Sequence, residues 1–436
     1  MAHLTARSSY ARLTERLNRF PQGAPPSKLL EQILAVLFRP EEAELVARLP
    51  LRPFSADQAA RAWDMPAAQA RVLLEQMAER GLLVDMQQRG QMHYVLPPPM
   101  AGFFEFALMR VRDDLDQGLL SRLFEQYISV EDDFVRALFS GGETQFGRVL
   151  VGEDVLSSAQ ALHVLDYERA EAIIDAATHI GIGLCYCRHK RAHQGRSCAA
   201  EMDICMTFNS VAASLIRHGQ VRPVERGECK ELLHKAREQN LAQFAENVQQ
   251  GVNFICNCCP CCCEAMLAHQ RFGSEHPIHT SNFIAAVGEN CSGCGRCLPV
   301  CPASIITLET DQPGGYGRKR AVIDQDACLG CGVCARVCRL KALRMSPRAQ
   351  RVITPVNAVH KTVLMAIERG TLQHLIFDNQ VLRSHRALAA LLGAILKLSP
   401  VKRALAGSQL GSRYLERLCA RIDILRDESS SGHESV

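Results

Sequence analysis

Apolar positions recur at three- and four-residue intervals in SKLLEQILAVLF (27–38), SADQAARAW (55–63) and AAQARVLLEQMAERGLL (67–83), which predicts three helices. An acidic turn, EEAELVARL, follows the first, and VDMQQRGQMHYVL (84–96) has the pattern of a hairpin. Ser55 and Asp64 are expected as N-caps and Gly81 as a C-cap. The stretch 99–178 reads as helical, with the aromatics of FFEF and LFEQY in its core and Asp166, Glu168 and Glu171 on a solvated face. THIGIGLCYCRHK (178–190) then alternates as a strand, whereas CAAEMDIC (198–205) and CKELLHKAREQNLAQFAEN (229–247) have helical composition. VNFIC (252–256) is β-like, CEAMLAHQRF (263–272) is helical, and two further helices are expected at 357–369 and 384–425.

These elements predict an α+β, helix-rich, multidomain chain. Its parts are a module at 24–98, a helical cysteine-rich domain at 99–285, a compact module at 286–347, a basic amphipathic helical region at 348–428 and a disordered tail at 429–436. Hydrophobic residues make up 47% and charged residues 22%, with a net charge of +4, which describes a globular protein. The start, MAHLTARSSYARLTERLNRF, is polar and basic, and the longest apolar run, ALAALLGAIL (387–396), falls short of the ~18 residues of a membrane span. A cytoplasmic location is therefore expected, where thiols stay reduced and the 20 cysteines read as metal ligands rather than disulfides. Their placement agrees: Cys419 stands alone, and all the others lie between Cys185 and Cys338.

Two runs carry the clearest chemistry. CSGCGRCLPVCP holds Cys291, Cys294, Cys297 and Cys301, and CLGCGVCARVCR holds Cys328, Cys331, Cys334 and Cys338, each with the spacing C-x2-C-x2-C-x3-C. Gly293 matches Gly330 and Gly295 matches Gly332, allowing the backbone to fold tightly and turn its amides on a bound group. Zinc also uses paired C-x2-C motifs, but a third cysteine at the next interval in both copies points to iron–sulfur clusters. The runs resemble bacterial two-[4Fe–4S] ferredoxins over about 286–347, in which the fourth cysteine of each run crosses to the other cluster. The resemblance implies one cluster on Cys291, Cys294, Cys297 and Cys338 and another on Cys328, Cys331, Cys334 and Cys301. Pro302 follows the first run as in the family, whereas Arg339 replaces proline after the second and is expected to raise the potential of the adjacent cluster. ASIITLE and KALRM resemble the helix and strand that follow each ferredoxin run, AVIDQDAC the strand entering the second, and PGGYGRK (313–319) a turn-rich insertion.

The centre holds a denser pattern. Cys185 and Cys187 fall at the predicted strand end, Cys198 and Cys205 at i, i+7 on one face of the predicted helix, with Arg188, His189 and Lys190 beside them as positive charge. CNCCPCCC adds Cys256, Cys258, Cys259, Cys261, Cys262 and Cys263. Pro260 is expected to open a helix with the last three in its first turn, where free amides favour thiolates. These ten cysteines are the candidate ligands of one or two additional iron–sulfur clusters; Cys198 and Cys205 also read as ordinary buried cysteines. The whole chain resembles a family of bacterial and archaeal 4Fe–4S dicluster-domain proteins through GFFEFALMR (102–110), the CYCRHK and MDICM pair, FICNCC-x-CCC-E (254–264) and the ferredoxin runs. That resemblance implies iron–sulfur chemistry and names no reaction. The paired cysteines are also similar to those of heterodisulfide reductase cysteine-rich domains, with different long-range spacing.

The helix–helix–helix–hairpin order of 24–98 is that of winged-helix folds. Its eight Lys/Arg against nine Asp/Glu give no basic footprint, so a docking module is expected rather than a DNA reader. Between Arg339 and Arg426, sixteen Lys/Arg face four Asp/Glu. This region is expected to cap the ferredoxin module or to associate peripherally with an acidic partner or membrane surface. His189, His193 and His279 are further candidate ligands, and no dinucleotide, P-loop or nucleophile-elbow motif is present. The pattern predicts single-electron relay through two [4Fe–4S] clusters to or from the central site, within an oxidoreductase system and with a redox protein partner. A redox-sensing regulator and a reductase acting at the central cluster are the alternatives; catalytic residues and oligomeric state are not specified.

Overall fold

A computed structural model describes residues 2–139, 142–162, 164–310 and 317–377. The expected helix at 384–425, Cys419, the tail and residues 313–316 of the insertion lie outside the described residues. Helices and strands are mixed, as an α+β chain requires, and no helix among the described residues is long and apolar enough to cross a membrane.

The N-terminal module follows the apolar pattern closely. Ser27 caps the helix Lys28–Leu37 by accepting from the Leu30 amide, and this helix buries Leu30, Ile33, Leu34 and Leu37 along one face. The acidic segment expected as a turn is instead the helix Pro40–Ala47, started by a proline at its first position. Strand β1 (Phe54–Ser55) leads into the helix Ala56–Trp63, where Ser55 and Gln58 form a capping box. Asp64 does not cap the next helix. It ends this one in the left-handed conformation (φ 56°), and Pro66 leads into Ala67–Glu79. Gly81, just past that helix, is left-handed at φ 72°. Strands β2 (Val84–Gln88) and β3 (Gln91–Val95) form the hairpin, turned through Arg89 and Gly90 at positive φ, and the sheet order is β1-β3-β2. Below it, Phe103, Phe104, Phe124 and Tyr127 are buried in an aromatic core. Glu168 departs from expectation: it is buried, accepting from the Leu165 amide and pairing with Arg351.

The central region, expected to be helical apart from strands within 178–190 and 252–256, is built on a sheet that includes both of these. Strands β4 (Gly147–Val149), β5 (Ile180–Leu184), β6 (Asp203–Phe208), β7 (Arg222–Pro223), β8 (Ala242–Glu246) and β9 (Phe254–Cys258) form one antiparallel sheet in the order β4-β8-β9-β6-β5-β7. Two assignments change as a result. CAAEMDIC is no helix, because Asp203 and Cys205 pair with β5 as part of β6 and Cys198 precedes it in irregular chain. The long helix from Cys229 stops at Glu238, and its last residues continue as the fully buried β8. Helices Ala170–Ala176 and Arg226–Glu238 cover one face through Ile173, Ile174, Cys229 and Leu233.

Strand β10 (Phe283–Val287) pairs with β13 (Leu343–Pro347), and β11 (Ile306–Thr310) with β12 (Lys319–Ile323), so the compact module closes by joining its first strand to its last. Residues 358–369 form a helix whose Lys361 pairs with Glu246 at 2.6 Å.

The hairpin is anchored to the central sheet by one buried carboxylate. Asp85 accepts from Ser214 Oγ at 2.5 Å and His218 Nε2 at 3.1 Å, and pairs with Arg217. Burial alone would raise its pKa; the His218 and Ser214 hydrogen bonds and the Arg217 charge overcome this and hold it at about 2. Asp85 is thus stabilising above the unfolded-chain value of about 3.9, and this contribution is lost as pH falls through about 2. Asp85→Asn should cost about 2 kcal/mol at pH 7 and flatten the loss of stability between about pH 4 and 2, as read by anaerobic thermal unfolding.

Candidate metal centres

In the compact module the two cysteine runs fold into loops that exchange their last members. Cys291, Cys294, Cys297 and Cys338 line one cavity of about 250 Å³, and Cys301, Cys328, Cys331 and Cys334 line another. The runs require glycine at equivalent points. A side chain at Gly293 (φ 64°) would meet the Lys319 carbonyl at 2.4 Å, and one at Gly330 (φ 70°) the Phe283 carbonyl at 2.1 Å. The donor set is wholly thiol, and the remaining lining is mainly small and apolar, including Leu308 and Ala321 in one cavity and Ala285 and Ile306 in the other. Such residues fit a [4Fe–4S] cluster in each. The first cavity is the outer one: Cys294 is exposed, and Arg339 lines it beside Cys338. The second is inner and carries buried Cys301, Cys328, Cys331 and Cys334.

The inner loops rest directly on the central region. The Gly152 amide donates to the Cys331 carbonyl at 3.0 Å, His269 Nε2 to the Ala327 carbonyl at 2.8 Å, and Arg336 pairs with Asp154. Gln270 Nε2 donates both to the Pro260 carbonyl, 2.9 Å away inside CNCCPCCC, and to the Pro302 carbonyl, 2.8 Å away beside Cys301.

The ten central cysteines come together from three adjacent strand ends and two loops. Cys185 is the N-cap of the helix Tyr186–Ala192, so Cys187 lies in a helix, not on the strand end. Cys205 lies on β6 and Cys256 and Cys258 on β9, where Cys205 meets Cys256 one step beyond the Met206–Ile255 pair. The following helix begins later than expected. Pro260 to Cys262 form a turn, Cys263 is the N-cap, and Glu264–Phe272 is helical.

The thiols fall into two sets. Cys185, Cys187, Cys205, Cys256, Cys258 and Cys263 are linked thiol to thiol, with Cys263 and Cys258 at 3.2 Å and the Glu264 amide donating to Cys187 at 3.5 Å. Cys198, Cys259, Cys261 and Cys262 form the other, all four sulfurs lying within 4.8 Å of one another. Arg188, fully buried, donates to the Asn257 carbonyl at 3.1 Å and to Cys259 at 3.8 Å while facing Cys185 and Cys205. Hydrogen bonding from Cys262 and the Arg188 charge bring the Cys259 thiol down to about 4 despite burial, and hydrogen bonds from Cys187 and Cys205 lower Cys185.

Arg188 supplies positive charge as expected, but its neighbours do not. His189 donates to the Leu108 carbonyl at 2.8 Å. Lys190 pairs with Glu125 at 2.6 Å and with Glu264, and donates to Ser129 at 3.0 Å. Among the described residues, His189, His193 and His279 join no metal-ligating group. Sequence reasoning missed Glu264, Gln270 and Glu105; burial pushes the Glu105 carboxyl up to about 7, with Cys185 adding to the push. Glu264 alone stands directly beside a cysteine in the sequence; Gln270 and Glu105 reach the thiols only through the fold. Cys229, outside both sets, packs in the apolar core.

Residues 290–342 match the family model of the 4Fe–4S dicluster domain. No curated protein and no solved structure matches the chain. The match identifies a [4Fe–4S]-binding, electron-transferring module within the chain.

Burial works against the charge on Glu125, but Lys190, Arg191 and Arg196 hold its carboxyl below the usual range. Lys190→Met would strand the Glu264 carboxylate and leave Glu125 to Arg191 and Arg196, and the loss should be about 3–5 kcal/mol in anaerobic urea unfolding. A loss under about 1 kcal/mol would show that the stranded carboxylate takes up a proton instead.

Proposed function

We propose that this chain is an iron–sulfur electron-transfer protein that relays single electrons between a redox partner and its central cysteine-rich site, within a larger oxidoreductase system. Cys291, Cys294, Cys297 and Cys338 would hold one [4Fe–4S] cluster and Cys301, Cys328, Cys331 and Cys334 a second; bound there, such clusters supply one-electron chemistry. The observation that carries this reading is the double hydrogen bond of Gln270, which joins the turn of CNCCPCCC to the residue after Cys301. One side chain thereby fixes the inner ligand loop against the central thiols, the arrangement that an electron path between them needs.

The chain's own residues set the direction of access. Exposed Cys294 puts the outer cavity at the surface, and Arg296, Arg339 and Lys341 are exposed around it. That rim favours an acidic redox partner. Burial of Cys301, Cys328, Cys331 and Cys334 keeps water from the inner cavity. In the centre, Cys185, Cys187, Cys205, Cys256, Cys258 and Cys263 supply more thiols than one cubane uses, with Arg188 offsetting their charge.

The N-terminal elements have winged-helix order, and we assign them a docking role. The helix Ala67–Glu79 exposes Ala67, Ala68, Gln69, Val72 and Gln76, with Arg71 as its exposed cation, and Arg80 is held by Glu42 at 2.7 Å. A surface of this composition releases few counterions from DNA. The full chain should give no specific, saturable shift of duplex DNA at moderate salt; such a shift would favour the regulator.

The relay is tested by iron and acid-labile sulfide analysis of the anaerobically purified chain. The module should contribute about eight irons, and Cys294→Ala and Cys331→Ala should each remove about four while sparing the other cluster. Cys294→Ala should also stop an acidic donor protein from reducing the central site, as followed by paramagnetic resonance. A module with zinc and no sulfide, or unchanged reduction of the centre in Cys294→Ala, rejects the reading. Arg339→Gln should lower the potential of the outer centre, by no more than about 59 mV, the tenfold step for one electron.

A further inference from the structure

The two central thiol sets differ in size as well as membership. Cys198 and Cys259 are 3.7 Å apart and Cys261 and Cys262 3.6 Å, and no pair in the set exceeds 4.8 Å. A tetrahedral ion with metal–sulfur bonds of about 2.3 Å holds its four sulfurs about 3.8 Å apart. A four-iron cube interposes its own irons and sulfides between the cysteines and spreads their sulfurs farther than that. The four-thiol set is therefore closed to the size of one ion.

The chain around it supports the same conclusion. Adjacent cysteines on a strand or helix point apart, but the turn Pro260 to Cys262 turns Cys261 and Cys262 onto one centre. Cys259 comes from the end of β9 and Cys198 from the loop before β6, so two separate segments meet there, as in structural metal sites. Arg188 separates this set from the six-thiol set. Its Nη1 reaches Cys259, whereas its Nε and Nη2 are buried with no hydrogen-bond partner. A guanidinium does not lose its proton, so these donors call for anionic acceptors beside them.

We propose that Cys198, Cys259, Cys261 and Cys262 form a closed tetrahedral site for one divalent ion of the zinc type, distinct from the pocket of Cys185, Cys187, Cys205, Cys256, Cys258 and Cys263. On binding, each of the four sulfurs gives up any proton it carries to solvent and forms one bond to the ion; no electron is transferred. With all four positions filled by protein the ion has no open place for substrate, and its role is structural. It ties the loop containing Cys198 to the turn at Pro260, whose carbonyl Gln270 holds against Pro302. The inference is independent of the relay: a zinc ion is present whether or not the ferredoxin-type clusters carry current.

The full-length chain, made anaerobically with both iron and zinc in the medium, tests it. About one zinc per chain is expected, surrounded by four sulfurs at about 2.3 Å in X-ray absorption at the zinc edge. Cys261 is exposed, so Cys261→Ser disturbs packing least; it should reduce zinc to below about a tenth of wild type and leave iron and labile sulfide unchanged. Cys256→Ala should do the reverse, losing iron and keeping zinc. Wild-type chain without zinc overturns the proposal, and so does loss of iron and sulfide together in Cys261→Ser. The absorption measurement on wild type decides the matter even where a variant fails to fold.

Discussion

The structure turns on the cost of gathering ten thiols in a protein interior. Ionised together they would repel one another strongly in a low-dielectric setting. Left protonated and unligated they would be ten small apolar groups with no reason to converge on three strand ends and two loops. Cations resolve this conflict. Arg188 is fully buried at the seam between the two sets, and Lys190, two residues on, is committed to Glu125 and Glu264. The helix Tyr186–Ala192 thus carries two buried charges to two different neighbourhoods. One serves the thiols and the other locks the wall behind them.

That division explains how the surrounding elements are built. Glu264 opens the helix after CNCCPCCC, pairs with Lys190 and presents its amide to Cys187. The same helix carries Gln270 and His269, which grip the ferredoxin-type module through the Pro302 and Ala327 carbonyls. One nine-residue helix, Glu264–Phe272, therefore communicates with the thiols at its start and with the neighbouring module at its end. On the opposite side Asp85 binds the N-terminal hairpin to the helix Asn209–Arg217, which packs on the central sheet.

What could be read from the sequence depended on how local the signal was. The cysteine runs at 291–301 and 328–338 declared their loops by spacing and paired glycines, since the tight turns demand those residues in a fixed order. The N-terminal helices were legible because each buries one stripe, as Leu30, Ile33, Leu34 and Leu37 do. The central sheet was obscured for a physical reason. Strand β8 (AQFAE) is buried on both faces, so it shows no alternation and shares its composition with the helix before it. Cys198 and Cys205 seemed to share a helical face, yet they belong to different sets, because pairing of Asp203–Phe208 with β5 and β9 outweighed the helix-forming residues before it. The division of CNCCPCCC between two thiol sets was not legible either, since it depends on Pro260 making a turn rather than starting a helix.

The exchange of the fourth cysteine between runs has a consequence for synthesis. Every central cysteine has left the ribosome by Cys263, and β9, the last strand of its sheet, by Cys258. The centre can close while the ferredoxin-type module is still being translated. Neither cavity of that module has this freedom. The outer one waits for Cys338, the inner one takes Cys301 from a run made long before its other three members, and β10 has no partner until β13 follows. The nascent chain therefore exposes Cys291, Cys294 and Cys297 as an incomplete set until the second run emerges. During that interval the finished central region, through Gly152 and the helix Glu264–Phe272, already offers the surface on which the late module settles.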